Sequence, residues 1–280
     1  MFKIVNKKQL NPTVVEMDID APLVAKKAEP GQFIILRVDA EGERIPLTVA
    51  GFDREKGTVK IIFQIVGATT EILGHKEVGD SICDFVGPLG EPTATEGLKS
   101  VCVVGGGVGC AIAYPVAKKL FEQGTNVTSI IGFRNKDLVI LADEFKGSSN
   151  EFHLMTDDGT AGEHGNVCVP LEALLASGKK FDKIIAIGPL IMMKFVVQTA
   201  KKYNVPCTVS MNPIMIDGTG MCGCCRLSVG GKMKFACVDG PDFDGYEVDF
   251  DEVMSRNRIY SEFEQTAREE TCNLFKKEIK

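Results

Sequence analysis

Three cysteines lie within four residues in the stretch DGTGMCGCC (217–225), and another follows at Cys237. Cys222, Cys225 and Cys237 form a C-x2-C-x11-C set, which leaves Cys224 as a spare. Soft thiolates of this kind bind iron–sulfur clusters or zinc. Glycine-rich loops favour a cluster because their N–H groups can point at the sulfurs, whereas structural zinc more often uses two C-x2-C pairs. The spacing predicts an iron–sulfur cluster, with zinc or uncoordinated cysteines as alternatives.

A run of glycines lies between a buried strand and a helix, in VCVVGGGVGCA (101–111). Glycines at such a turn let the backbone approach a phosphate, and the helix N-terminus favours its negative charge. We therefore expect a dinucleotide site there, with a plain tight turn as the alternative. The candidate residues are Gly105, Gly106, Gly107 and Gly109.

Three other features follow strands in the same half of the chain. The strand after the glycine run ends at Arg134, with no acidic residue to hold a ribose hydroxyl. Arg134 would face a 2′-phosphate or lie in a loop, so the choice between NAD and NADP stays open. Gly188 and Pro189 also follow a strand and would line the same crevice. Asp157 lies in a polar loop, TDDGTAGEHG, that either closes over the nucleotide or is an exposed turn.

Two motifs in the first hundred residues suit a phosphate. RIPLT (44–48) begins with an arginine, whose guanidinium can bind a phosphate through two hydrogen bonds. VGATTEIL (66–73) offers free N–H groups and hydroxyls at the start of a helix. Each motif alone would be an ordinary surface feature, but together they favour a flavin site. The second motif contributes Gly67, Thr69 and Thr70.

The elements that would hold these residues change in character along the chain. Residues 1–97 contain short β-branched runs broken by turn residues, which predicts an antiparallel sandwich or barrel. Strands and helices alternate over 98–210, which predicts a parallel sheet. Residues 211–280 are rich in glycine and cysteine, then acidic, then helix-like. The Gly- and Pro-rich loop 87–97 is the expected domain boundary.

Composition limits the classes of function. The chain has 280 residues, of which 44% are hydrophobic and 25% charged, as in an ordinary soluble protein of two domains. A formal net charge of −6 argues against nucleic-acid binding. No long apolar span and no signal-peptide pattern are present, so we expect a cytoplasmic protein with no membrane partner.

Six of the ten cysteines are scattered along the chain. Disulfides are not expected in a reducing compartment, and most of the six lie in apolar runs. They are predicted to be small buried hydrophobic side chains. The six are Cys83, Cys102, Cys110, Cys168, Cys207 and Cys272.

A barrel followed by a nucleotide domain resembles the ferredoxin-reductase-like flavoproteins. In that family an Arg-x-Tyr-Ser type motif on the barrel holds the flavin, and RIPLT is the matching stretch here. The resemblance implies that Arg44 binds the FAD pyrophosphate and that Thr48 lies near the reactive flavin nitrogen. Pro46 belongs to the same motif, and Leu47 replaces the aromatic residue.

Over essentially its whole length the chain resembles the electron-transfer subunit of dihydroorotate dehydrogenase B. It is still more similar to the small (alpha) subunit of NADH-dependent ferredoxin–NADP oxidoreductase. In the dihydroorotate type four cysteines hold a [2Fe–2S] cluster, and here Asp217 occupies the first of their positions. In the other type an aspartate replaces one cysteine. The resemblance thus implies Asp217, Cys222, Cys225 and Cys237 as ligands; a turn residue is the alternative for Asp217.

The expected fold class is β + α/β. It comprises an antiparallel flavin-binding β-barrel, a parallel-sheet nucleotide-binding domain and a small C-terminal iron–sulfur module. The expected function is electron transfer between NAD(H), FAD and a [2Fe–2S] cluster, with no side chain acting as acid or base. The resemblance implies electron bifurcation with a larger iron–sulfur flavoprotein subunit that carries a second FAD and [4Fe–4S] clusters. The alternatives are a dihydroorotate dehydrogenase B subunit and a non-catalytic, zinc-stabilised nucleotide sensor.

Overall fold

The structure is a computed structural model that describes the backbone of residues 1–278 and the side chains of residues 1–271. Its strands are β1 (Phe2–Asn11), β2 (Val14–Asp20), β3 (Phe33–Arg37), β4 (Arg44–Asp53), β5 (Thr58–Gln64), β6 (Ser81–Ile82), β7 (Asp84–Leu89), β8 (Ser100–Gly106), β9 (Asn126–Phe133), β10 (Glu151–Thr156), β11 (Glu163–His164), β12 (Lys183–Ile187), β13 (Cys207–Ser210), β14 (Arg226–Val229), β15 (Lys232–Phe235) and β16 (Asp242–Asp244). Its helices are α1 (Pro22–Ala25), α2 (Ala68–His75), α3 (Cys110–Glu122), α4 (Ala142–Gly147), α5 (Cys168–Ala176), α6 (Leu190–Lys202), α7 (Ala236–Asp239), α8 (Phe250–Arg256) and α9 (Ser261–Glu278).

The first seven strands form one antiparallel sheet in the order β6-β1-β2-β5-β4-β3-β7. The edge strands β6 and β7 are separated in sequence by Cys83 alone, so the sheet curls round until its two edges nearly meet. Apolar side chains fill the interior, among them Ile34, Leu36 and Phe63. This is the expected barrel, and closing a sheet protects its edges from unwanted pairing.

The second sheet has the order β11-β10-β9-β8-β12-β13-β16. Its pairs are parallel except for the last, in which β16 runs antiparallel to β13. The chain order reverses between β8 and β12, and helices α3 and α6 follow those two strands. In sheets of this type ligands bind at the carboxyl ends of the strands where the order reverses, so the two glycine turns lie at the expected position.

The C-terminal segment packs on both sheets. Its hairpin, β14 and β15, and the short helix α7 bury Cys225 and Cys237 in one apolar cluster with Phe33 and Ile35 of the barrel. Helix α9 runs against α2. The predicted three-part architecture is confirmed, with one addition: β16 belongs to the parallel sheet although it follows the cysteines.

The scattered cysteines are less uniform than predicted. Cys102, Cys110 and Cys207 are buried, and burial raises the pKa of each thiol. Cys83 and Cys168 remain partly exposed, because one lies between two edge strands and the other begins a surface helix. The side chain of Cys272 lies outside the described residues.

Among the helices that the structure describes, none combines the length and the apolar character needed to cross a membrane.

Candidate functional site

The two glycine turns of the parallel sheet pack directly against each other. A Cβ atom on Gly109 would lie 2.6 Å from Cα of Gly188, and one on Gly106 would lie 2.3 Å from the sulfur of Met192. Gly105 is buried against α3, where a Cβ would lie 3.0 Å from Cys110 Sγ. Space is therefore tight at all three glycines, and at Gly109 the obstacle is backbone, which cannot move aside as a side chain can.

Gly107 differs from its neighbours. Its φ is +54°, which favours glycine, and a Cβ there would meet nothing within 4 Å. Gly107 is thus the glycine of the run that faces open space, just before the N-terminus of α3. That geometry lets the backbone approach a phosphate.

A cavity of about 960 Å³, here called the nucleotide cleft, opens at this edge. It is large enough for most of a dinucleotide, since ligand sites commonly span about 300–1,000 Å³. The residues predicted for nucleotide binding that line it are Gly106, Gly107, Gly109, Arg134, Asp157, Gly188 and Pro189. Gly105 does not line it and lies beneath the turn.

Arg134 and Asp157 follow neighbouring parallel strands and lie at the same end of the sheet. The N–H of Asp157 donates to the carbonyl of Phe133 over 3.0 Å, which aligns the two strand ends. Both side chains are exposed. Opposite charges therefore flank this part of the nucleotide cleft, one suited to a 2′-phosphate and the other to a ribose hydroxyl.

Barrel residues that the sequence reasoning missed also line the nucleotide cleft. Asn11, Thr13 and Gln64 come from β1, the β1–β2 turn and β5. Asn11 is fixed by a hydrogen bond from its Nδ2 to the carbonyl of Leu138, 3.1 Å away in the nucleotide half. No motif marks these residues, because their role depends on how the two sheets meet.

The RIPLT stretch forms the first half of β4 and pairs on one side with β3. The pairing of β4 with β5 begins only at Val49, which leaves the other edge of residues 44–48 outside that ladder. Pro46 is tolerated there because its missing N–H breaks no bond to β5. All five residues, Arg44, Ile45, Pro46, Leu47 and Thr48, are partly exposed. A strand segment with an open edge and accessible side chains suits a ligand such as a flavin.

The turn before α2 uses its threonines differently. Thr70 Oγ1 accepts from the N–H groups of Val66 and Gly67, each at 3.0 Å, and donates to the Gly67 carbonyl at 2.9 Å. Thr69 is instead hydrogen-bonded to Glu43 Oε2 at 3.3 Å. Thr70 therefore stabilises the turn, and the first N–H groups of the helix are the part best suited to a phosphate.

Arg44 extends towards the stretch 216–225, here called the cysteine loop. Its Nε donates to the carbonyl of Ile216 over 2.8 Å, and its Nη2 lies 3.5 Å from the carbonyl oxygen of Asp217. This contact joins residues 172 positions apart, so no local motif predicts it. Pyrophosphate binding by Arg44 stays a prediction.

The x11 spacing between Cys225 and Cys237 has a structural cause. Strands β14 and β15 form a hairpin that turns at Gly230 and Gly231, so the chain returns to its starting point. The N–H of Ala236 then donates to the carbonyl of Cys225 over 3.2 Å. The hairpin thereby brings the second buried cysteine beside the first.

The four clustered thiols interact with one another and with backbone N–H groups. The pKa of Cys222 is lowered mainly by the N–H of Cys224, with a further contribution from the N–H of Asp217. The pKa of Cys237 is raised to about 12, mainly by burial and also by its hydrogen bond with Cys225, against the opposing effect of the Gly220 N–H. Sulfurs that accept N–H bonds in a glycine-rich loop match the environment of iron–sulfur clusters.

Asp217 is held within the cysteine loop. Its carboxylate accepts hydrogen bonds from the N–H of Thr219 at 3.1 Å and from the Thr219 hydroxyl. The hydroxyl is the main cause of a lowered pKa, so the carboxylate is ionised and chemically able to bind a metal. The same contacts are those of a turn residue, and the role of Asp217 as a ligand stays a prediction.

The donor set fits a [2Fe–2S] cluster in its chemistry. One carboxylate and two thiols lie on the cysteine loop, and the third thiol lies on α7, which follows the hairpin. Cys222 is exposed, while Cys225 and Cys237 are buried. Within the side chains that the structure describes, no three His, Cys, Asp or Glu groups lie in a metal-binding arrangement. A cluster would therefore have to draw these ligands together as it binds.

Comparisons with known proteins identify the C-terminal segment. Residues 212–249 match the iron–sulfur cluster binding domain of dihydroorotate dehydrogenase B. A Thermotoga maritima homologue of the electron transfer subunit of dihydroorotate dehydrogenase B (NAD(+)) is 49% identical, over 95% of this chain and 94% of its own. The Enterococcus faecalis V583 electron transfer subunit is 31% identical, over 89% of this chain and 97% of its own.

The chain belongs to the family of dihydroorotate dehydrogenase B electron transfer subunits and their homologues. A solved structure of an NADH-dependent reduced ferredoxin–NADP oxidoreductase, from work on flavin-based electron bifurcation, is also similar. It has 46% identity and a TM-score of 0.91, over 96% of this chain and 97% of that one. The fold is shared with a cytochrome P450 reductase from Amycolatopsis. That structure is 19% identical and has a TM-score of 0.61, over 72% of this chain and 65% of that one.

Membership of this family confirms several predictions. The chain is an oxidoreductase subunit of the ferredoxin-reductase-like type, and it transfers electrons. The prediction of FAD, a [2Fe–2S] cluster and NAD(H) as cofactors is confirmed at the level of the family. Relatives that are electron transfer subunits imply a larger catalytic partner subunit.

Proposed function

We propose that this chain is the small subunit of an electron-bifurcating NADH-dependent ferredoxin–NADP oxidoreductase and that it forms the NAD(H) end of the complex. The observation that carries this proposal is Asp217 at the first ligand position of the cysteine loop, where the dihydroorotate type has a cysteine. The similarity to the ferredoxin–NADP oxidoreductase structure, at 46% identity, supports it.

The nucleotide cleft would hold NAD(H). Gly107 and the N-terminus of α3 would bind the pyrophosphate, because free N–H groups and a favourable helix dipole point at that position. Gly188 and Pro189 would wall the nicotinamide side. Asp157 would hold a ribose hydroxyl, and its negative charge next to Arg134 would disfavour a 2′-phosphate.

The open edge of β4 would hold the flavin. Thr48 would lie near the reactive nitrogen, Leu47 would replace an aromatic contact, and the N-terminus of α2 from Gly67 would bind phosphate together with Thr69. The residues of β4 and α2 would hold FAD, which would supply the exchange between two-electron hydride transfer and one-electron transfer. The protein's part is therefore to position and shield these groups.

Asp217, Cys222, Cys225 and Cys237 would hold the [2Fe–2S] cluster. Apolar side chains around this site are unusually exposed: Met221 by 89%, Met233 by 64% and Val238 by 41%. An exposed apolar patch of this kind is typical of a surface that another protein covers. We propose that the larger subunit, with a second FAD and [4Fe–4S] clusters, docks there.

The functional segments proposed are 1–97 for FAD, 98–210 for NAD(H) and 211–280 for the cluster and tail. A cytoplasmic location stays a prediction.

Purification of the native complex tests the assignment. We expect one FAD and two iron atoms per copy of this chain, together with a larger subunit that contains its own flavin and additional iron. A TIM-barrel dihydroorotate enzyme as the co-purifying chain would support the second candidate, which the family match over 212–249 also favours. A colourless protein that contains zinc would support the non-catalytic nucleotide sensor instead.

Substitution of the proposed aspartate ligand gives a second test. Asp217→Cys is expected to keep the cluster but to change its EPR spectrum and reduction potential, because a carboxylate is a harder donor than a thiolate. Cys224→Ala is the matched control, since Cys224 is the spare cysteine and its replacement should leave both properties unchanged. An unchanged spectrum in Asp217→Cys would mean that Asp217 is not a ligand, and Cys224 would become the candidate.

A further inference from the structure

We propose that Arg44 is a positioning residue for the cysteine loop as well as part of the flavin motif. In this role its guanidinium would fix the backbone at Ile216 and Asp217 and so set the direction of the Asp217 carboxylate. The inference rests on the proposed function, because it assumes that the cysteine loop holds a [2Fe–2S] cluster.

The hydrogen bonds of Arg44 support this role. The 2.8 Å contact from Nε to the Ile216 carbonyl has the length of a good bond, and a charged donor strengthens it. The 3.5 Å approach of Nη2 to the Asp217 carbonyl is weaker but points at the next residue of the same loop. Together they hold two successive carbonyls, one on each side of the Asp217 Cα that carries the carboxylate.

The two roles of Arg44 do not compete. A guanidinium carries five N–H donors in a rigid planar fork, and the contacts with the cysteine loop use two of them. The other donors remain for a phosphate. Among the described side chains, no carboxylate forms an ion pair with Arg44 within 4.0 Å, so its charge is not already neutralised by a close partner.

Packing places the cysteine loop directly on the flavin half of the molecule. Gly218 is buried with a φ of +83°, and a Cβ there would lie 2.7 Å from Leu89 Cδ1 and 3.1 Å from Ile35 Cγ1. Ile35 pairs with Pro46 in the β3–β4 ladder. The loop therefore touches β7 and β3, and β3 is paired with the strand that carries the flavin motif. Arg44 adds a polar contact at the edge of this apolar one.

Arg37 provides a matched control on the same ladder. It lies directly opposite Arg44 in the β3–β4 register. Its guanidinium is bound to Asp84 at 2.6 Å and to the Ala40 carbonyl at 2.6 Å, and neither partner belongs to the cysteine loop. Arg37→Ala therefore removes a similar side chain from the same barrel strand pair without altering the proposed contact.

The test compares Arg44→Ala, Arg44→Lys and Arg37→Ala with the wild type, all saturated with FAD. We expect both Arg44 variants to show an altered EPR spectrum of the reduced cluster. We also expect about tenfold faster iron loss to a chelator, in line with the loss of a charge-assisted hydrogen bond. Hydrogen–deuterium exchange of a peptide that covers 214–225 should quicken in both variants. Arg37→Ala should match the wild type in all three measurements.

The outcomes separate the two proposals. If the Arg44 variants have a lower affinity for FAD but, once saturated with it, keep the wild-type EPR spectrum and iron-loss rate, Arg44 serves the flavin alone and the inference is wrong. Equal effects in Arg37→Ala would also overturn it, because the cause would then be general barrel destabilisation. If the purified wild-type protein contained no iron, the proposed function itself would be contradicted. Arg44→Lys, which keeps the charge, guards against misfolding of the alanine variant.

Discussion

Gly109 and Gly188 touch backbone to backbone where the two glycine turns meet. A Cβ on Gly109 would lie 2.6 Å from Cα of Gly188 and 2.7 Å from the carbonyl oxygen of Ile187. The φ of Gly109 is −59°, a value that any residue adopts. The constraint at this position is therefore space and not backbone conformation.

Gly109→Ala is expected to lower the free energy of unfolding by about 1–3 kcal/mol, because backbone atoms must move to admit the methyl group. It should also raise KM for NADH, since the displaced turn lines the nucleotide cleft. Urea unfolding and steady-state kinetics measure the two effects. Gly147→Ala, where a Cβ would meet nothing within 4 Å, should stay within about 0.5 kcal/mol of the wild type. Equal stability of the two variants would contradict this account.

Thr70→Val is expected to destabilise the barrel by about 1–2 kcal/mol and to reduce FAD retention. The hydroxyl of Thr70 satisfies two N–H groups and one carbonyl in the turn before α2, and valine can replace none of these bonds. Thr69→Val removes a hydroxyl bound to the Glu43 side chain instead, so its stability should hardly change. Thermal unfolding provides the comparison between the two variants, and the flavin content after gel filtration measures FAD retention in Thr70→Val. A Thr69 variant as unstable as the Thr70 variant would contradict the assignment.

Asp157 is expected to favour NADH over NADPH. Asp157→Asn keeps the shape but removes the charge that would repel a 2′-phosphate, so kcat/KM for NADPH should rise about tenfold. Arg134→Ala in the same background should reverse that gain, because Arg134 is then the remaining partner for the phosphate. Diaphorase assays with an artificial acceptor measure both values. A preference unaltered by either change would place the ribose elsewhere in the nucleotide cleft.

Asp242 should make stability depend on pH. Burial raises the pKa of Asp242. Its Oδ1 is inaccessible and has no hydrogen-bond partner among the described residues, while Oδ2 accepts from Thr93 at 2.6 Å. A raised folded-state pKa stabilises the fold below the unfolded pKa of about 3.9, and this stabilisation is lost as pH rises through the folded pKa. The Asn side chain of Asp242→Asn is neutral at every pH. The free energy of unfolding of this variant should therefore increase relative to that of the wild type as pH rises. Urea unfolding at several pH values measures the difference.

Asp182 supplies a control of opposite sign. Its carboxylate accepts from the N–H groups of Lys99 and Ser100, and these bonds lower its pKa. The stabilisation is present above the unfolded pKa and is lost as pH falls through the folded pKa. Asp182→Asn should therefore be less stable than the wild type near neutral pH, and the difference in stability should shrink in acid. The same trend in both variants would exclude this explanation for Asp242.

Much of the fold could be predicted from local patterns. The β-branched runs predicted β3, β4 and β5, and the alternation of strands and helices over 98–210 predicted α3 and α6. β16 was not predicted, because three residues with two aspartates have little strand character and pair with β13 only through tertiary context. The hairpin of β14 and β15 was also missed, although it explains the spacing of Cys225 and Cys237.

Part of the candidate site could also be predicted, because its motifs are local patterns. Glycine turns and cysteine spacing are local; the structure places both glycine turns at the nucleotide cleft and folds the hairpin that returns Cys237 towards Cys225. Contacts between distant segments were not predictable: Arg44 meets Ile216 across 172 residues, and Asn11 meets Leu138 across 127. Such contacts depend on how the two sheets and the cysteine loop pack, which no single motif encodes.

An anaerobic titration of the purified chain with NADH tests the central claim most directly. Flavin absorbance would report electrons that enter from the nicotinamide, and EPR would report electrons that reach the cluster. The account predicts that NADH bleaches the flavin and then produces the signal of a reduced [2Fe–2S] cluster, more efficiently than NADPH does. A protein that contains flavin and iron but stays fully oxidised in excess NADH would contradict it.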